Sequence, residues 1–316
     1  MPGPDGDRRG VKFTNLDRQL FDGSEATKGD LVDYFDAVSD RILPCLRDRA
    51  LSVIRVHRTD RPFMQKNLPA SAPGWIRRVS SWAESSKREV TYPVCDDRRT
   101  LLWLANQRAV ELHPALTTVG APGRATHLVL DLDPPEGAPF AAVATVARLV
   151  REALGSVGLD GAVKTSGAKG LHVFVPVDAS AEDAALATRA LAERAAALDP
   201  AAATTAFVKD RRAGKVFVDS TRAGAATVVA TYSPRIRPGV PVSFPVLWDD
   251  LDRVSPRDFT IFTAPALLEA ADPWVASMPA VARLPQVLVD EGREHPAPRI
   301  EAMAEGRRRR GPAPGG

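Results

Sequence analysis

Residues 127–135 read HLVLDLDPP, an apolar run that carries Asp131 and Asp133 one residue apart before two prolines. In an extended strand these two side chains lie on the same face, within about 7 Å of each other. A buried charge is strongly disfavoured unless it is paired or bound to a metal. A hard divalent cation between the two carboxylates would relieve their repulsion. The alternative is a strand that ends in solvent, and the two prolines are compatible with it.

Two later segments show the same arrangement, with aliphatic residues on one face and a chemically active residue on the other. In LHVFVPV, His172 lies on the face opposite the aliphatic residues. In KVFVDS, Lys215 and Asp219 lie on the corresponding face. If these strands are neighbours of the first, Asp219 joins Asp131 and Asp133. Three carboxylates could hold two ions about 3.5–4 Å apart, which activate an attacking hydroxyl and neutralise a leaving phosphate.

The segment SGAKGLH, residues 166–172, predicts a loop that faces an anion. Ser166, Gly167 and Gly170 allow a tight turn whose backbone N–H groups can point at a ligand, and Lys169 adds positive charge. The segment lacks the GxxxxGK[ST] pattern of a Walker P-loop. A glycine turn with an incidental lysine is the alternative, and it is disfavoured when Asp131, Asp133 and His172 are considered together with the loop.

The charge distribution favours a phosphate-bearing partner more than the net charge of +3 does. Basic residues recur in short clusters, namely Arg77-Arg78, Arg98-Arg99, Arg211-Arg212, Arg235 with Arg237, and the run 307–310. An ordinary solvated surface would also explain these clusters.

The two cysteines, Cys45 and Cys95, have no metal-ligand spacing, which is typical of a reduced cytosolic protein. The N-terminus lacks an apolar signal core, and no apolar run approaches the ~18 residues of a membrane helix. We therefore expect an intracellular protein without a membrane segment.

The first third of the chain predicts helices and a strand. Thr27 with Asp30 forms a capping box, and the apolar stripe that follows predicts a helix ending before Pro44. LSVIRVHR predicts a strand, and TLLWLANQRAVELHP predicts a second helix that stops before Pro114.

After residue 125, strands and helices alternate. ATHLVLDLD, LHVFVPV, GKVFVDS and ATVVATYS predict four strands. Between them lie a helix with Pro139 in its first turn and a helix that Ser180 caps, with Asp183 three residues on. The chain therefore predicts an α+β (mixed α/β) fold, with a mixed central sheet flanked by helices.

Taken in order, the motifs DLDP, KTSGAKGLHVFVPV, GKVFVD and YSPRIRPG resemble the archaeo-eukaryotic primase superfamily, and most closely the polymerase domain of bacterial ligase D. FTNLDRQLF, TKGDLVDYF, FMQKNLP, LLWLANQRAVELHP and LWDDL also have counterparts there. The resemblance implies a primase-polymerase core over 11–295, with an N-terminal α/β subdomain (11–120) and an RRM-like catalytic subdomain (121–295). Residues 1–10 and the basic tail 296–316 are expected to be disordered. Without a ligase or nuclease module, a stand-alone form is expected.

The resemblance implies a template-dependent nucleotidyltransferase that extends primers and fills gaps or ends, readily with ribonucleotides, in repair such as non-homologous end joining. Asp131, Asp133 and Asp219 would be catalytic and hold two Mn²⁺ or Mg²⁺ ions. The residues implied to bind the incoming nucleotide are Ser166, Lys169, His172, His113, Lys215, Arg235 and Arg237. The residues implied to bind DNA are Lys12 and Lys28 at a 5′-phosphate, Phe63 stacked on the template, and Lys66.

The implied partners are gapped or broken DNA with a 5′-phosphate, NTPs or dNTPs, and Ku with a separate DNA ligase, in the cytoplasm at the nucleoid. The chain departs from the family pattern at Met64, where a second aromatic is usual. It also departs after Asp219, where DSTRAG lacks an asparagine that the family carries.

Two other functions stay open from the residues. Aspartyl phosphatases also place Asp-x-Asp after an apolar strand, with the first aspartate as nucleophile, but they carry Thr or Val where Pro134 stands and have no SGxKGxH loop. A non-catalytic module that binds DNA ends and 5′-phosphates is the third possibility. The presence of all three candidate carboxylates argues against it.

Overall fold

The computed structural model describes residues 7–8, 10–56, 61–83 and 87–296. The chain forms two compact units of non-contiguous segments, the first made of 1–122, 164–168 and 227–276 and the second of 123–163, 169–226 and 277–316. The terminal segments expected to be disordered lie almost entirely outside the described residues. The subdomain bounds 11–120 and 121–295 stay a prediction.

Helices and strands are interspersed along the described chain, and its last three elements are helices. The helices are α1 (Lys28–Ala37), α2 (Ser39–Leu46), α3 (Arg98–Asn106), α4 (Phe140–Gly155), α5 (Ala181–Leu198), α6 (Ala264–Ala270), α7 (Pro273–Ser277) and α8 (Gln286–Glu294). The strands are β1 (Asp7–Arg8), β2 (Val11–Lys12), β3 (Leu51–Val56), β4 (Pro62–Gln65), β5 (Arg78–Ala83), β6 (Arg88–Pro93), β7 (Ala109–Pro114), β8 (Thr117–Thr118), β9 (Ala121–Asp133), β10 (Ala162–Thr165), β11 (Leu171–Ser180), β12 (Ala203–Thr204), β13 (Val216–Asp219) and β14 (Pro245–Val246).

The first helix begins at the predicted capping box, in which Thr27 and Asp30 bond each other's backbone N–H. Its predicted end before Pro44 is wrong. The apolar stripe is divided at Val38, which caps the end of α1 and the start of α2. Pro44 lies inside α2, where it removes one hydrogen bond of a short second helix instead of ending a long first one.

The helix predicted over TLLWLANQRAVELHP is correct only in its first part. Asp97 caps α3 by accepting the N–H of Thr100, and the helix ends at Asn106. Arg108 then takes a φ of 54°, in the left-handed region, and this reverses the chain into β7. His113 therefore lies on a strand opposite Ser52 of β3, and not at a helix end.

In the first unit, β3 is the central strand of an antiparallel sheet with the order β4–β3–β7, and β5 pairs with β6 as a separate hairpin. The fourth strand predicted at ATVVATYS is wrong. Only Thr227 makes a ladder bridge, to Ala115. The backbone of Val228 and Ala230 still bonds β7, until Tyr232 turns the chain away with a φ of 68°.

In the second unit, the strands follow the order β12–β13–β9–β11, and β9 is antiparallel to both of its neighbours. The leucines and valines of β9, β11 and β13 are almost fully buried, and α4 and α5 contact both β11 and β13. Ser180 caps α5 as predicted. The mixed sheet flanked by helices confirms the predicted fold class. Within the described ranges, every helix is too short or too polar to span a bilayer.

Gly170 gives the fold a stringent test, because a Cβ there would lie 2.2 Å from the carbonyl oxygen of Leu132 on β9. We expect Gly170→Ala to lower the free energy of unfolding by about 1–3 kcal/mol in a urea titration. Gly155→Ala is the matched control, since a Cβ there meets nothing within 4 Å. Equal stability of the two variants would contradict this packing.

Candidate functional site

Three neighbouring strands bring the candidate chemistry to one edge of the second unit. In the ladder, Asp131 of β9 lies opposite His172 of β11 on one side and opposite Asp219 of β13 on the other. Asp133 follows two residues later on the same face, opposite Phe217. The sequence alternation correctly placed these strands side by side, while the roles of the residues as metal ligands stay a prediction.

The two aspartates in the ladder lie in different electrostatic environments. Asp131 lies beside nitrogen atoms of two side chains: His172 Nε2 is 3.3 Å from Oδ1 and Arg222 Nε is 4.0 Å from Oδ2. Asp219 is buried and accepts the backbone N–H of Thr221 at 2.7 Å. Burial raises the pKa of Asp219, and the nearby charge of Asp131 raises it further. A cation placed here would remove both penalties.

Asp133 is paired with two basic side chains. Arg212 Nη1 donates to its Oδ2 at 3.1 Å, and Lys169 Nζ lies 3.7 Å from its Oδ1. The guanidinium of Arg212 also lies 3.9 Å from the ring centre of Phe217, so the arginine is held from two sides. Lys169 is shared with Glu136 at 3.4 Å. The sequence had shown Arg212 only as part of a basic cluster.

The donor set fits a hard divalent cation, because such ions prefer carboxylate oxygens. In this arrangement, however, the described residues contain no group of three His, Cys, Asp or Glu side chains placed to bind a metal. Asp133 is instead neutralised by Arg212 and Lys169. Asp131, Asp133 and Asp219 are the residues that would hold a metal, with Arg212 as the competitor for Asp133.

A second cluster lies in the first unit, around the carboxylate of Glu111. His113 Nε2 lies 3.0 Å from its Oε2, and Arg235 Nε lies 3.0 Å from the same oxygen. Arg235 Nη1 also donates to the carbonyl of Ser166. The structure therefore brings together three of the residues predicted to bind a nucleotide, and Glu111, which the sequence analysis did not single out, joins them.

The remaining predicted nucleotide-binding residues are less enclosed. Arg237 and Lys169 are exposed, and Lys215 is half-buried one residue before β13. His172 is buried against Phe174, with ring centres 6.4 Å apart.

A basic cavity of about 250 Å³ lies in the first unit, and its lining residues include several cations and no acidic side chain. Its lining residues are Thr14, Asn15, Arg18, Lys28, Arg55, Val56, Asn106, Gln107 and Arg108. Burial lowers the pKa of Arg55, and the like charge of Arg108 lowers it further. Cations held together in this way favour an anionic ligand. Lys28 is therefore in a suitable place for the predicted phosphate contact.

The other predicted DNA-binding residues lie on exposed parts of the first unit. Lys12 is exposed on β2 and is not among the residues that line the basic cavity. Phe63 and Met64 are both exposed on the edge strand β4, where successive side chains point to opposite faces. Lys66 is exposed one residue after β4 ends. The sequence analysis missed Arg18, Arg55 and Arg108, although Arg18 lies inside the quoted motif FTNLDRQLF.

Residues 27–274 match the family model described as the LigD primase-polymerase domain. The multifunctional non-homologous end joining protein LigD of Mycobacterium bovis is 38% identical over 255 residues, which are 77% of this chain and 33% of that protein. The bifunctional LigD of Bacillus subtilis is 33% identical over 260 residues, which are 80% of this chain and 41% of that protein. The chain thus spans about a third of the length of the mycobacterial relative.

A solved structure agrees with this match. The polymerase domain of Mycobacterium tuberculosis ligase D in complex with DNA superposes with a TM-score of 0.76 and 34% identity. The alignment covers 85% of this chain and 99% of that chain.

The raised pKa of Asp219 predicts that its ionised carboxylate lowers the free energy of unfolding at neutral pH. Its carboxylate is ionised at neutral pH at a cost, so Asp219→Asn should raise the free energy of unfolding in EDTA by on the order of 1 kcal/mol. The gain should shrink as the pH falls through the pKa of Asp219, where the wild-type group takes up its proton. Thermal unfolding at several pH values measures it. If Asp219→Asn is less stable than the wild type at neutral pH, ionised Asp219 does not destabilise the fold and the prediction is wrong.

Proposed function

Because this chain belongs to the LigD primase-polymerase domain family, whose members are nucleotidyltransferases, we propose that it extends primers on a template and fills gaps or ends in broken DNA. The observation that carries the proposal is the ladder Asp219–Asp131–His172, with Asp133 on the same face. Ribonucleotides are readily used as substrates in this proposal.

In the proposed mechanism, Asp131, Asp133 and Asp219 are the residues that would hold two Mn²⁺ or Mg²⁺ ions. Ions held there would supply activation of the attacking 3′-hydroxyl and neutralisation of charge on the leaving pyrophosphate. His172 keeps Asp131 in place through their 3.3 Å contact. Arg212 and Lys169 neutralise Asp133 before the ligands bind, and Lys169 then contacts the triphosphate.

The remaining nucleotide contacts are proposed from the cluster in the first unit. Ser166 and Arg235 would contact phosphate oxygens, while His113 would face the sugar. Their mutual contacts support this assignment, since a group that is already oriented loses less entropy when the ligand binds. Lys215 and Arg237 are proposed as supplementary cations around the triphosphate.

The DNA is proposed to bind through a 5′-phosphate in the basic cavity. Lys28 and Arg18 stand in its lining with Arg55 and Arg108, so an anion in the cavity would lie among four cationic side chains. Phe63 would stack on a template base, a contact that tolerates every base, with Lys12 and Lys66 along the backbone. Ku and a separate ligase, with a location at the nucleoid, complete the proposal.

The family match removes the aspartyl phosphatase from consideration. The non-catalytic end-binding module is the remaining alternative, because the pairing of Asp133 with Arg212 would also suit a site that binds no metal. Catalysis and binding are therefore measured separately in the tests that follow.

Asp131→Ala should reduce primer extension by at least about 1000-fold, because it removes the central carboxylate of the ladder. Binding to the same DNA should stay within about twofold. The assay is extension of a gapped, 5′-phosphorylated DNA with each of the eight nucleotides and with Mn²⁺ or Mg²⁺. Asp178→Ala is the control, since Asp178 is exposed and pairs with Arg124 on the surface. Retained extension by Asp131→Ala would refute the assigned chemistry, and no extension by the wild type would favour the binding module.

Lys28→Ala and Arg18→Ala should each weaken binding to gapped DNA that carries a 5′-phosphate by roughly 10-fold, and should scarcely change binding to the same DNA with a 5′-hydroxyl. Lys12→Ala is measured in the same assay, because the resemblance implies that Lys12 also contacts the 5′-phosphate, and a loss confined to the phosphorylated DNA would support that role. Arg253→Ala is the control, because Arg253 is an exposed cation with a local partner, Asp250. Equal losses on both DNA ends would show that the cavity does not recognise the phosphate.

A further inference from the structure

Glu111 is a buried acid on β7 with three nitrogen partners on one carboxylate. Oε2 lies 3.0 Å from both His113 Nε2 and Arg235 Nε, while Oε1 accepts the backbone N–H of Ile236 at 3.0 Å. Its side chain is only 7% exposed. A carboxylate buried in this way is costly unless its partners compensate, and here both oxygens are used.

We propose that Glu111 is a positioning residue that orients His113 and Arg235 toward the incoming nucleotide. The inference rests on the proposed function and adds a residue to which no role was assigned. Glu111 does not contact the substrate in this proposal. It acts through the two side chains that it holds.

The carboxylate fixes the tautomer of His113. The partners of Glu111 outweigh the effect of burial and lower its pKa to about 2, so it is ionised and can only accept hydrogen bonds. His113 Nε2 must then carry a hydrogen. Burial lowers the pKa of His113, with further lowering by Arg235 and Lys164 against the raising effect of Glu111. In the neutral ring Nδ1 is an acceptor, and a sugar hydroxyl can donate to it.

The same carboxylate anchors the phosphate-binding loop through Arg235. Arg235 spans from Glu111 to the carbonyl of Ser166, and Gly167 follows with a φ of 69°. A Cβ at Gly167 would lie 2.5 Å from Arg235 Cγ, so the arginine runs directly against the loop backbone. Loss of the charge at Glu111 would release Arg235 and, with it, this support of Ser166.

A purely structural role would be a buried ion cluster that affects stability alone. The test therefore compares ribonucleotides with deoxyribonucleotides as substrates and also measures the titration of His113 directly. The variants are Glu111→Gln, which keeps the size of the side chain, His113→Ala and their combination. Asp36→Asn is the matched control, since it breaks a different carboxylate–arginine pair of the first unit, to Arg98 at 2.6 Å.

We expect Glu111→Gln to lower kcat/KM for ribonucleotides by roughly 10-fold and to move the ribonucleotide-to-deoxyribonucleotide ratio toward that of His113→Ala. The double variant should show no further change in this ratio, because both substitutions remove the same Glu111–His113 interaction. Asp36→Asn should leave the ratio unchanged. If Glu111→Gln does not fold, Glu111→Asp should shift the ratio in the same direction by a smaller factor.

A second readout is independent of activity. The pKa of the His113 ring, followed by NMR, should fall in Glu111→Gln, because the carboxylate that raises it is gone. An unchanged His113 titration, or an unchanged substrate ratio in an active variant, overturns the inference. A wild type that incorporates no nucleotide refutes the proposed function instead, and the His113 titration then still decides whether Glu111 holds the ring.

Discussion

The candidate active site depends on the register of one central strand. β9 is hydrogen-bonded to β11 and β13, and both neighbours are antiparallel to it. Because side chains alternate along a strand, a slip of one residue in either pairing would move Asp219 or His172 away from Asp131 and expose leucines in their place. The burial of the aliphatic face under α4 and α5 makes such a slip expensive. The hydrophobic core thus fixes the positions of the polar groups and holds Asp131 and Asp219 together despite the repulsion between their carboxylates.

Features with a local cause were predictable from the sequence. The caps at Thr27 and Ser180 lie within three residues of their partners, and the alternation in LVLDLD, LHVFV and KVFVD marks both faces of each strand. The predictions from sequence were wrong where the local structure depends on a single backbone angle or on a partner that is distant in the sequence. At Arg108 and Tyr232 a non-glycine residue takes a left-handed φ, which turned a predicted helix into a strand and ended a predicted strand early.

The candidate site was predictable from the sequence where its residues are of types common in catalytic sites and stand in a recognisable motif. Asp131, Asp133, Asp219 and His172 met that condition. Arg212 and Glu111 did not, because an arginine or a glutamate is ordinary until its partner is known, and the partners are remote in sequence. Arg212 reaches Asp133 across 79 positions, and Glu111 accepts from Ile236 across 125. Only the folded chain shows that these charges belong to a site.

The basic cavity has a thermodynamic consequence for the whole protein. Burial lowers the pKa of Arg55 and the like charge of Arg108 lowers it further, so the ligand-free fold holds these cations at an electrostatic cost. Any anion that enters relieves part of this cost and, by mass action, draws the unfolding equilibrium toward the native state. Under the proposed function, in which this anion is the 5′-phosphate of a DNA end, the stability of the folded chain would rise with the supply of such ends.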